Sequence, residues 1–350
     1  MSKAIIFAIC VLLTLGIFSF TAYRIFRFFR LTKPFPVKNW RKRFVVMMAV
    51  AFGQTKIFRQ PILGMMHALV WWGFIIILIG SIEMIIDGLA GTERILSVLG
   101  PVYDIITSLG DVFAFIILLL IFAFLFRRRF MHINRFTGIE MKHISHMDAN
   151  LALSLIGLLM VSLLGMNTFY IIYTHSAGHE IVGLFPVSTY IAGFFGEVNL
   201  EQAYLWHEVN WWSHIIWIFV FANVLPYSKH FHVFMSVPNV FLSRLEPLGY
   251  LPNMPEITDE VKLMMDPNAA FTDPPAEEEI NRFGVLDAED VTWKNYLDSL
   301  ACTECGRCTE VCPANITGKL LSPRKIMMDL RARMKEKGPG LVKDKNYSDE

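Results

Sequence analysis

The sequence predicts an all-α membrane protein, in which a five-helix transmembrane bundle is followed by a small helical domain that carries clustered cysteines. Of 350 residues, 54% are hydrophobic and only 18% are charged, whereas soluble domains contain about 45–50% apolar and about 25% charged residues. The apolar residues are concentrated in the first 235 positions, and four of the five cysteines lie within residues 302–312. The formal net charge of +1 gives no reason to expect a nucleic acid partner.

Five apolar segments are long enough to cross a bilayer, which takes about 20 helical residues. They cover residues 4–23, 62–87, 99–126, 148–174 and 208–228. The first segment has no small-residue cleavage site and is followed by Arg and Phe residues, so we interpret it as a retained anchor rather than a signal peptide. Together the segments define a membrane domain of residues 1–235.

Lys and Arg are distributed unequally between the connections of these segments. Ten lie between Arg24 and Arg59 and five within residues 127–142, but the second connection contains only Arg94 and residues 175–207 contain none. Because positively charged connections stay in the cytoplasm, this distribution predicts a multi-pass protein of the cytoplasmic (inner) membrane. Its N-terminus is expected outside and its cysteines in the cytoplasm.

The polar segment after the membrane domain divides into two parts. Residues 236–290 are expected to form an acidic linker, since residues 256–290 contain eleven acidic side chains and proline breakers. Residues 291–350 are expected to form the cysteine-bearing domain. Residues with helical spacing lead into the cysteines: Trp293, Tyr296, Leu297 and Leu300. A second helix, basic and amphipathic, is predicted from Ser322-Pro323 through Arg333.

The clustered cysteines follow the pattern C-x2-C-x2-C-x3-C-P, with ligand candidates Cys302, Cys305, Cys308 and Cys312. This spacing is typical of a [4Fe–4S] cluster, which thiolates two residues apart can surround on one short loop. Zinc is the alternative, but zinc-binding cysteine pairs are usually separated by a dozen residues or more. We therefore predict a [4Fe–4S] cluster. Cys10 lies in a membrane span and is expected to be a small packing residue.

The role of the fourth cysteine has two interpretations. In two-cluster ferredoxins the fourth cysteine of such a run binds the other cluster, and this sequence has no second run. Either Cys312 completes a single cluster, or a second motif lies beyond residue 350. We favour the second interpretation.

Three of the ten histidines are candidate haem ligands, because ionisable residues inside a membrane are functional candidates. His214 and His232 are eighteen residues apart, so on a continuous helix they would share one face, roughly 27 Å apart. His67, near the inner end of the second span, is expected at the depth of His232. This pair is predicted to bind one b haem between two spans, with His230 as the alternative to His232.

A second, outer haem at His214 is left open. At that depth the second span offers Ser81, Glu83 and Met84 instead of a histidine. The candidate second ligands are Met84, His175, His179 and His207. The last three are expected in a solvated outer loop, whereas His132, His143 and His146 are expected in the inner loop at the interface.

At these residues the chain resembles known families. The segment from His214 to His232, which contains Pro226-Tyr227-Ser228-Lys229, is similar to the cytochrome b (gamma) subunit of respiratory nitrate reductase. The resemblance implies five spans, an outside N-terminus, and two b haems with His214 and His232 as ligands. That family carries two histidines on its second helix, whereas here His67 is one turn displaced and Ser81 occupies the outer position.

The C-terminal sequence resembles iron–sulfur subunits related to heterodisulfide reductase. The resemblance covers residues 282–285, the four clustered cysteines and residues 317–325. The fusion of both modules resembles membrane iron–sulfur oxidoreductases that connect electron-transfer flavoprotein with menaquinone. This implies electron transfer between a quinone and a cytoplasmic partner, either electron-transfer flavoprotein or a cysteine-rich heterodisulfide reductase-like subunit.

Other functions fit the sequence less well. The alternative is a membrane-bound haem or redox sensor without turnover, which would be expected to carry an output domain. A transporter would be expected to show inverted repeats and broken helices. No residue is assigned a catalytic role, because the redox chemistry belongs to the cofactors.

Overall fold

The computed structural model describes residues 3–138, 140–247, 249–251, 253–266, 284–344 and 347. Apart from one isolated β-bridge, the regular structure of these residues is helical, which confirms the predicted fold class. The helices are α1 (Lys3–Phe28), α2 (Trp40–Met47), α3 (Pro61–Ala90), α4 (Pro101–Phe130), α5 (His143–Ser176), α6 (Pro186–Ala192), α7 (Leu200–Val224), α8 (His232–Phe241), α9 (Pro255–Met265), α10 (Trp293–Ala301), α11 (Arg307–Glu310), α12 (Pro313–Ile316) and α13 (Pro323–Lys343).

Five of these helices, α1, α3, α4, α5 and α7, are long and apolar enough to cross a membrane, as predicted. Their bounds differ from the apolar segments because polar residues extend them. The fourth helix begins at His143 instead of 148. The fifth begins at Leu200 instead of 208, where the Asn199 side chain caps it by accepting the Gln202 amide at 2.8 Å. His143, His146, His175 and His207 were predicted in loops, and this prediction is wrong because all four lie in helices.

The spanning helices pack around α5, which contacts both α4 and α7, while α3 packs on α4 and α1 packs on α3 and α7. Successive spans run in opposite directions. We call the end near Phe28, Pro61, Phe130, His143 and Val224 the cluster end, and the opposite end the far end. Apolar side chains of α4 and α5 form the centre of the bundle: Ala114, Ile117, Ile121, Leu159, Met160 and Leu164.

The predicted continuous helix between His214 and His232 is wrong. Helix α7 ends at Val224, and two short 3-10 turns, Leu225–Tyr227 and Lys229–Phe231, precede α8. Pro226 lacks an amide hydrogen and cannot continue the hydrogen-bond ladder of α7. The two histidines therefore do not share one helix face, and the turn sets the position of His232.

The cysteine-bearing domain packs against the cluster end of the bundle. The two parts share a buried apolar cluster: Phe28, Phe231, Met235, Ala288, Tyr296, Leu297, Leu300 and Met334. Their backbones also pair, since the Lys33 amide donates to Val291 O at 2.8 Å and the Trp293 amide donates to Lys33 O at 3.0 Å. The domain is thus fixed on the bundle by direct packing in addition to its chain connection.

The stretch of residues 236–290, predicted as an extended linker, contains most of α8 and all of α9. Pro255 occupies the first turn of α9, where a proline is tolerated. Residues 267–283, which carry part of the predicted acidic run, lie outside the described residues. The helix predicted from Ser322-Pro323 is α13, and it continues beyond Arg333 to Lys343.

Candidate cofactor sites at the two ends of the bundle

The four motif cysteines lie in the segment that follows α10, with Cys308 in the short helix α11. A capping box at Thr292 begins α10, and Cys302 follows its last residue. Glu304 and Gly306 then take positive φ angles of 58° and 75°, which turn the chain back on itself. A Cβ at Gly306 would also lie 2.7 Å from the Arg324 guanidinium, so the position requires glycine for both conformation and space.

The four motif cysteines form no disulfide. Cys302, Cys305 and Cys312 are half-buried and Cys308 is exposed. Burial raises the pKa of the Cys302 thiol. Burial acts in the same direction on Cys305, but hydrogen bonds from Arg307 hold the pKa of that thiol below its usual value, which favours the thiolate that binds iron. Among the described residues, no three His, Cys, Asp or Glu side chains are grouped around the position of a single metal ion.

A buried charge network joins this loop to the membrane bundle. The Glu304 carboxylate, inside the first C-x2-C step, accepts hydrogen bonds from Ser145 Oγ and the Arg331 guanidinium. It also forms an ion pair with Lys229 Nζ at 2.9 Å. Burial alone would raise the pKa of Glu304, but the Ser145 hydrogen bond and the Lys229 charge hold it below its usual value. Glu304 is therefore an anion at neutral pH.

A second buried ion pair connects the same two parts of the protein. Arg324 of α13 contacts Glu140, in the connection between α4 and α5, with an Nη2–Oε1 distance of 2.7 Å. Ser322 Oγ also donates to Glu140 Oε1 at 2.7 Å. Burial opposes ionisation, but these hydrogen bonds lower the pKa of Glu140. The ion pair fixes the beginning of α13 on the bundle.

His67 and His232 lie next to each other at the cluster end. Their ring centroids are 6.4 Å apart, with an angle of 40° between the ring planes. His67 belongs to α3 and His232 begins α8, so the two rings come from separate helices. His232 Nδ1 contacts the Lys229 carbonyl oxygen at 3.3 Å, whereas His67 Nδ1 is buried without a hydrogen-bond partner.

His67 and His232 would hold a haem iron between their two rings. An iron bound by one nitrogen of each ring, at metal–nitrogen distances of about 2 Å, separates the ring centres by about 6 Å. The Lys229 carbonyl fixes the orientation of the His232 ring, as the second hydrogen bond of a metal-binding histidine usually does. Burial lowers the pKa of His232 to about 3, so the ring is neutral and able to bind a metal at pH 7.

His230 occupies a different position from His232. Its Nδ1 lies 3.1 Å from Ser228 Oγ, and its ring centroid is 5.9 Å from that of His232. Burial lowers the pKa of His230 to about 4. The ring that contacts His67 is that of His232. The His230 ring contacts His232 instead.

The far end contains a cavity of about 420 Å³ between α3, α4, α5 and α7. Its lining includes His207, His214, Met84, Ser81 and Glu83. His207, predicted in a solvated loop, is half-buried on α7 because that helix begins earlier than its apolar segment. The other two histidines predicted in the outer loop, His175 and His179, are exposed.

His214 is buried, with 1% of its surface exposed. Its Nδ1 lies 2.9 Å from the Leu159 carbonyl oxygen and 3.1 Å from Ser162 Oγ. The hydrogen bond to the carbonyl leaves Nε2 as the nitrogen able to bind a ligand. The arrangement resembles that of His232 in this one respect, since a backbone carbonyl orients each ring.

Comparisons with known proteins identify the C-terminal domain. The model of the 4Fe–4S binding domain family matches residues 296–316, which include all four motif cysteines. The chain therefore carries a 4Fe–4S binding domain. The expected role of the cysteines as its ligands follows from their spacing and stays a prediction for each residue.

Two relatives are similar over most of the chain. The probable iron-sulfur-binding oxidoreductase FadF of Bacillus subtilis is 31% identical over 305 residues, 87% of this chain and 39% of that protein. The EtfAB:quinone oxidoreductase of Syntrophomonas wolfei is 27% identical over 301 residues, 83% of this chain and 38% of that protein. The chain thus spans about two fifths of the length of these relatives.

A third relative matches only the cluster region. The probable membrane-anchored ferredoxin of Chromohalobacter salexigens is 45% identical over 47 residues, 13% of this chain and 7% of that protein. No solved structure matches the chain. Together these findings make the chain a multi-pass membrane protein that is similar to iron–sulfur oxidoreductases. Its resemblance to the nitrate reductase gamma subunit stays a prediction.

The sequence analysis missed the residues that connect the two parts of the protein. Lys229 and Glu304 form an ion pair across 75 positions of the chain. Each stands next to a candidate ligand, because Lys229 precedes His230, the alternative haem ligand, and Glu304 precedes Cys305. A charged residue adjacent to a candidate ligand was the sequence feature that could have identified them.

Proposed function

We propose that the protein carries electrons between a soluble redox partner and a membrane quinone, through the [4Fe–4S] cluster and a b haem. The relative named EtfAB:quinone oxidoreductase supports electron-transfer flavoprotein and a quinone as the two reaction partners, and we propose menaquinone as that quinone. A cysteine-rich heterodisulfide reductase-like subunit is the alternative soluble partner. Turnover is expected to need the soluble partner, because the chain's own residues bind and orient the cofactors.

The observation that carries this proposal is the close approach of His67 and His232 at the end of the bundle where the 4Fe–4S domain docks. These residues would hold the haem, which when bound supplies a one-electron carrier inside the membrane. The Lys229 carbonyl orients the His232 ring. The shared apolar cluster and the two buried ion pairs keep the cysteine loop against the same end.

We assign the cluster end to the cytoplasmic side of the inner membrane. The support is the concentration of Lys and Arg in the connections at this end, compared with the single Arg94 in the far-end connections. A cytoplasmic position would keep the four thiols reduced and available for cluster assembly. A lipid bilayer would then surround the five spans.

We also propose that a second haem binds at the far end through His214. Its buried ring, oriented by Leu159, lines the 420 Å³ cavity together with Met84 of α3, which is the candidate second ligand. The two haems would then lie near opposite membrane surfaces.

The direct test is electron transfer through the purified membrane protein. Reduced electron-transfer flavoprotein and a menaquinone analogue are added in turn, while haem absorbance and the cluster resonance signal are recorded. The proposal predicts that the flavoprotein reduces the haem and that the quinone reoxidises it. A protein that contains the cluster but no haem would contradict the proposal.

A further inference from the structure

Glu304 is a buried carboxylate inside the cluster motif, between Cys302 and Cys305. Only 8% of its surface is exposed. Arg331 of α13 binds it from within the 4Fe–4S domain and also donates to the Cys302 carbonyl at 3.1 Å. Lys229 binds it from the membrane bundle, with an Nζ–Oε2 distance of 2.9 Å. The charge of Glu304 is therefore part of the environment of the cluster.

Lys229 is equally buried, with 8% of its surface exposed. Its Nζ also donates to the Ser145 carbonyl at 2.6 Å, and its amide donates to Asp148 Oδ2 at 2.9 Å. Its own carbonyl oxygen contacts His232 Nδ1 at 3.3 Å. One residue thus touches both the cluster loop and the imidazole at the cluster end.

A contribution to stability does not by itself explain this pair. The desolvation of two buried charges commonly cancels their attraction, so that a buried ion pair is weak evidence for stability. What the pair does provide is a fixed negative charge inside the cysteine motif and a fixed positive charge 2.9 Å from it, on the residue whose carbonyl oxygen contacts His232. Fixed charges favour one oxidation state of a redox centre over the other, and burial strengthens the effect because solvent does not screen it.

We propose that Lys229 and Glu304 are positioning residues that set the reduction potentials of the cluster and of the adjacent haem while they hold the two centres together. The inference rests on the proposed function for the haem, whereas the cluster is tested independently. A positive charge stabilises the reduced form and raises the potential, and a negative charge lowers it. Lys229 is therefore expected to raise the reduction potential of both centres, and Glu304 is expected to lower it.

The test is an equilibrium redox titration of both centres in the full chain. Glu304→Gln, which keeps the size and hydrogen-bonding capacity of the side chain, is expected to raise both potentials. Lys229→Met is expected to lower both. An effect of about tenfold in the oxidised-to-reduced ratio is expected for a unit charge at about 10 Å, which is about 59 mV for a one-electron couple.

Three further variants separate a charge effect from a loss of structure. The double variant is expected to have potentials close to those of the unsubstituted protein, because both charges are removed together. Lys229→Arg keeps the charge and is expected to leave both potentials unchanged. Lys337→Met removes an equally buried lysine that pairs with Asp287 and Glu289 instead, and it is expected to change neither potential.

The outcomes distinguish this inference from the proposed function. If the unsubstituted protein contains no low-spin haem, the proposed function is wrong. The titration of the cluster then shows whether the two charges act on the cluster alone. If both centres are present and the two single variants shift potentials in the same direction, or not at all, the positioning role is wrong. Opposite shifts that cancel in the double variant support it.

Discussion

The two ends of the bundle place their buried histidines in different ways. At the cluster end, His67 and His232 come from separate helices and their ring centroids are 6.4 Å apart. At the far end, His207 and His214 come from the same helix and lie roughly 10 Å apart along its axis. A pair from two helices can bind one iron between them, whereas a pair on one helix at this spacing cannot. The far end therefore needs a ligand from another helix, and Met84 of α3 lines the same cavity.

The ends also use their buried charges differently. At the cluster end, the buried carboxylates Glu304 and Glu140 pair with cations across the contact between two domains. At the far end, the buried carboxylate of Asp111 accepts the backbone amides of Val187 and Ser188 at 2.8 and 2.9 Å and thereby holds the beginning of α6. The buried charges at the cluster end join the 4Fe–4S domain to the bundle, and those at the far end hold the connection between α5 and α7.

The largest expected effect is the loss of the cluster without loss of haem. Because the thiolate of Cys305 is a predicted cluster ligand, Cys305→Ser should abolish the reduced-state resonance signal. The absorbance of the proposed haem should remain, since His67 and His232 lie outside the cysteine-bearing domain. Stoichiometric zinc with no acid-labile sulfide in anaerobically prepared protein would contradict the cluster assignment.

The next largest effect is expected at the far end. Asp111→Ala removes the acceptor of two backbone amides and of Ser188 Oγ and Asn167 Nδ2. Because these donors are left unpaired, we expect a loss of about 4 kcal/mol in stability. Hydrogen exchange should rise in α6, while the cluster signal and the proposed haem at the cluster end stay intact. Unchanged exchange in α6 would show that the carboxylate does not hold this connection.

A smaller effect is expected from the second ion pair of the domain contact. Glu140→Gln leaves Arg324 without its anion, and because a hydrogen bond to a charged group contributes about 2 kcal/mol, the 4Fe–4S domain should be cleaved faster by protease. Lys325→Met, which removes an exposed cation that pairs with Asp329 on the same helix, is the matched control. Equal cleavage of both variants would exclude a role of Glu140 in holding the domain.

Acid should weaken the same contact. The pKa of Glu140 and of Glu304 is lower in the folded protein than the usual value of about 4.3. Each carboxylate therefore contributes stability that is fully present above about pH 4.3 and is lost as the pH falls through its folded value. Protease sensitivity of the domain contact should stay constant from pH 7 to about 5 and rise below about pH 4. A rise that begins near pH 6 would implicate histidines instead.

The smallest effect on the cluster end is expected from the far-end histidine His207. His207→Ala should leave the proposed haem at His67 and His232 unchanged, because the His207 ring contacts Tyr170 and Tyr173 at the opposite end. It should alter only a haem bound through His214. Visible spectra normalised to protein measure this, and a loss of the cluster-end haem would remove the distinction between the two ends.

The local features of the chain were predictable from sequence, and the contacts between distant residues were not. The five spans and the cysteine loop follow from the length of apolar segments and from ligand spacing. The proximity of His67 and His232 was predicted from their depth, but with a continuous helix that Pro226 interrupts. The ion pair of Lys229 and Glu304 depends on how the domain docks, and no periodicity within one segment reports such a contact.

The measurement that tests the central claim most directly is the low-spin haem spectrum of four single variants, each normalised to protein. The account predicts that His67→Ala and His232→Ala lose or convert the same haem while the cluster still assembles. His230→Ala and His214→Ala should retain it. If His230→Ala loses that haem and His232→Ala retains it, the ligand is His230. If His67→Ala and His232→Ala both keep the full signal, the haem assignment at the cluster end is wrong.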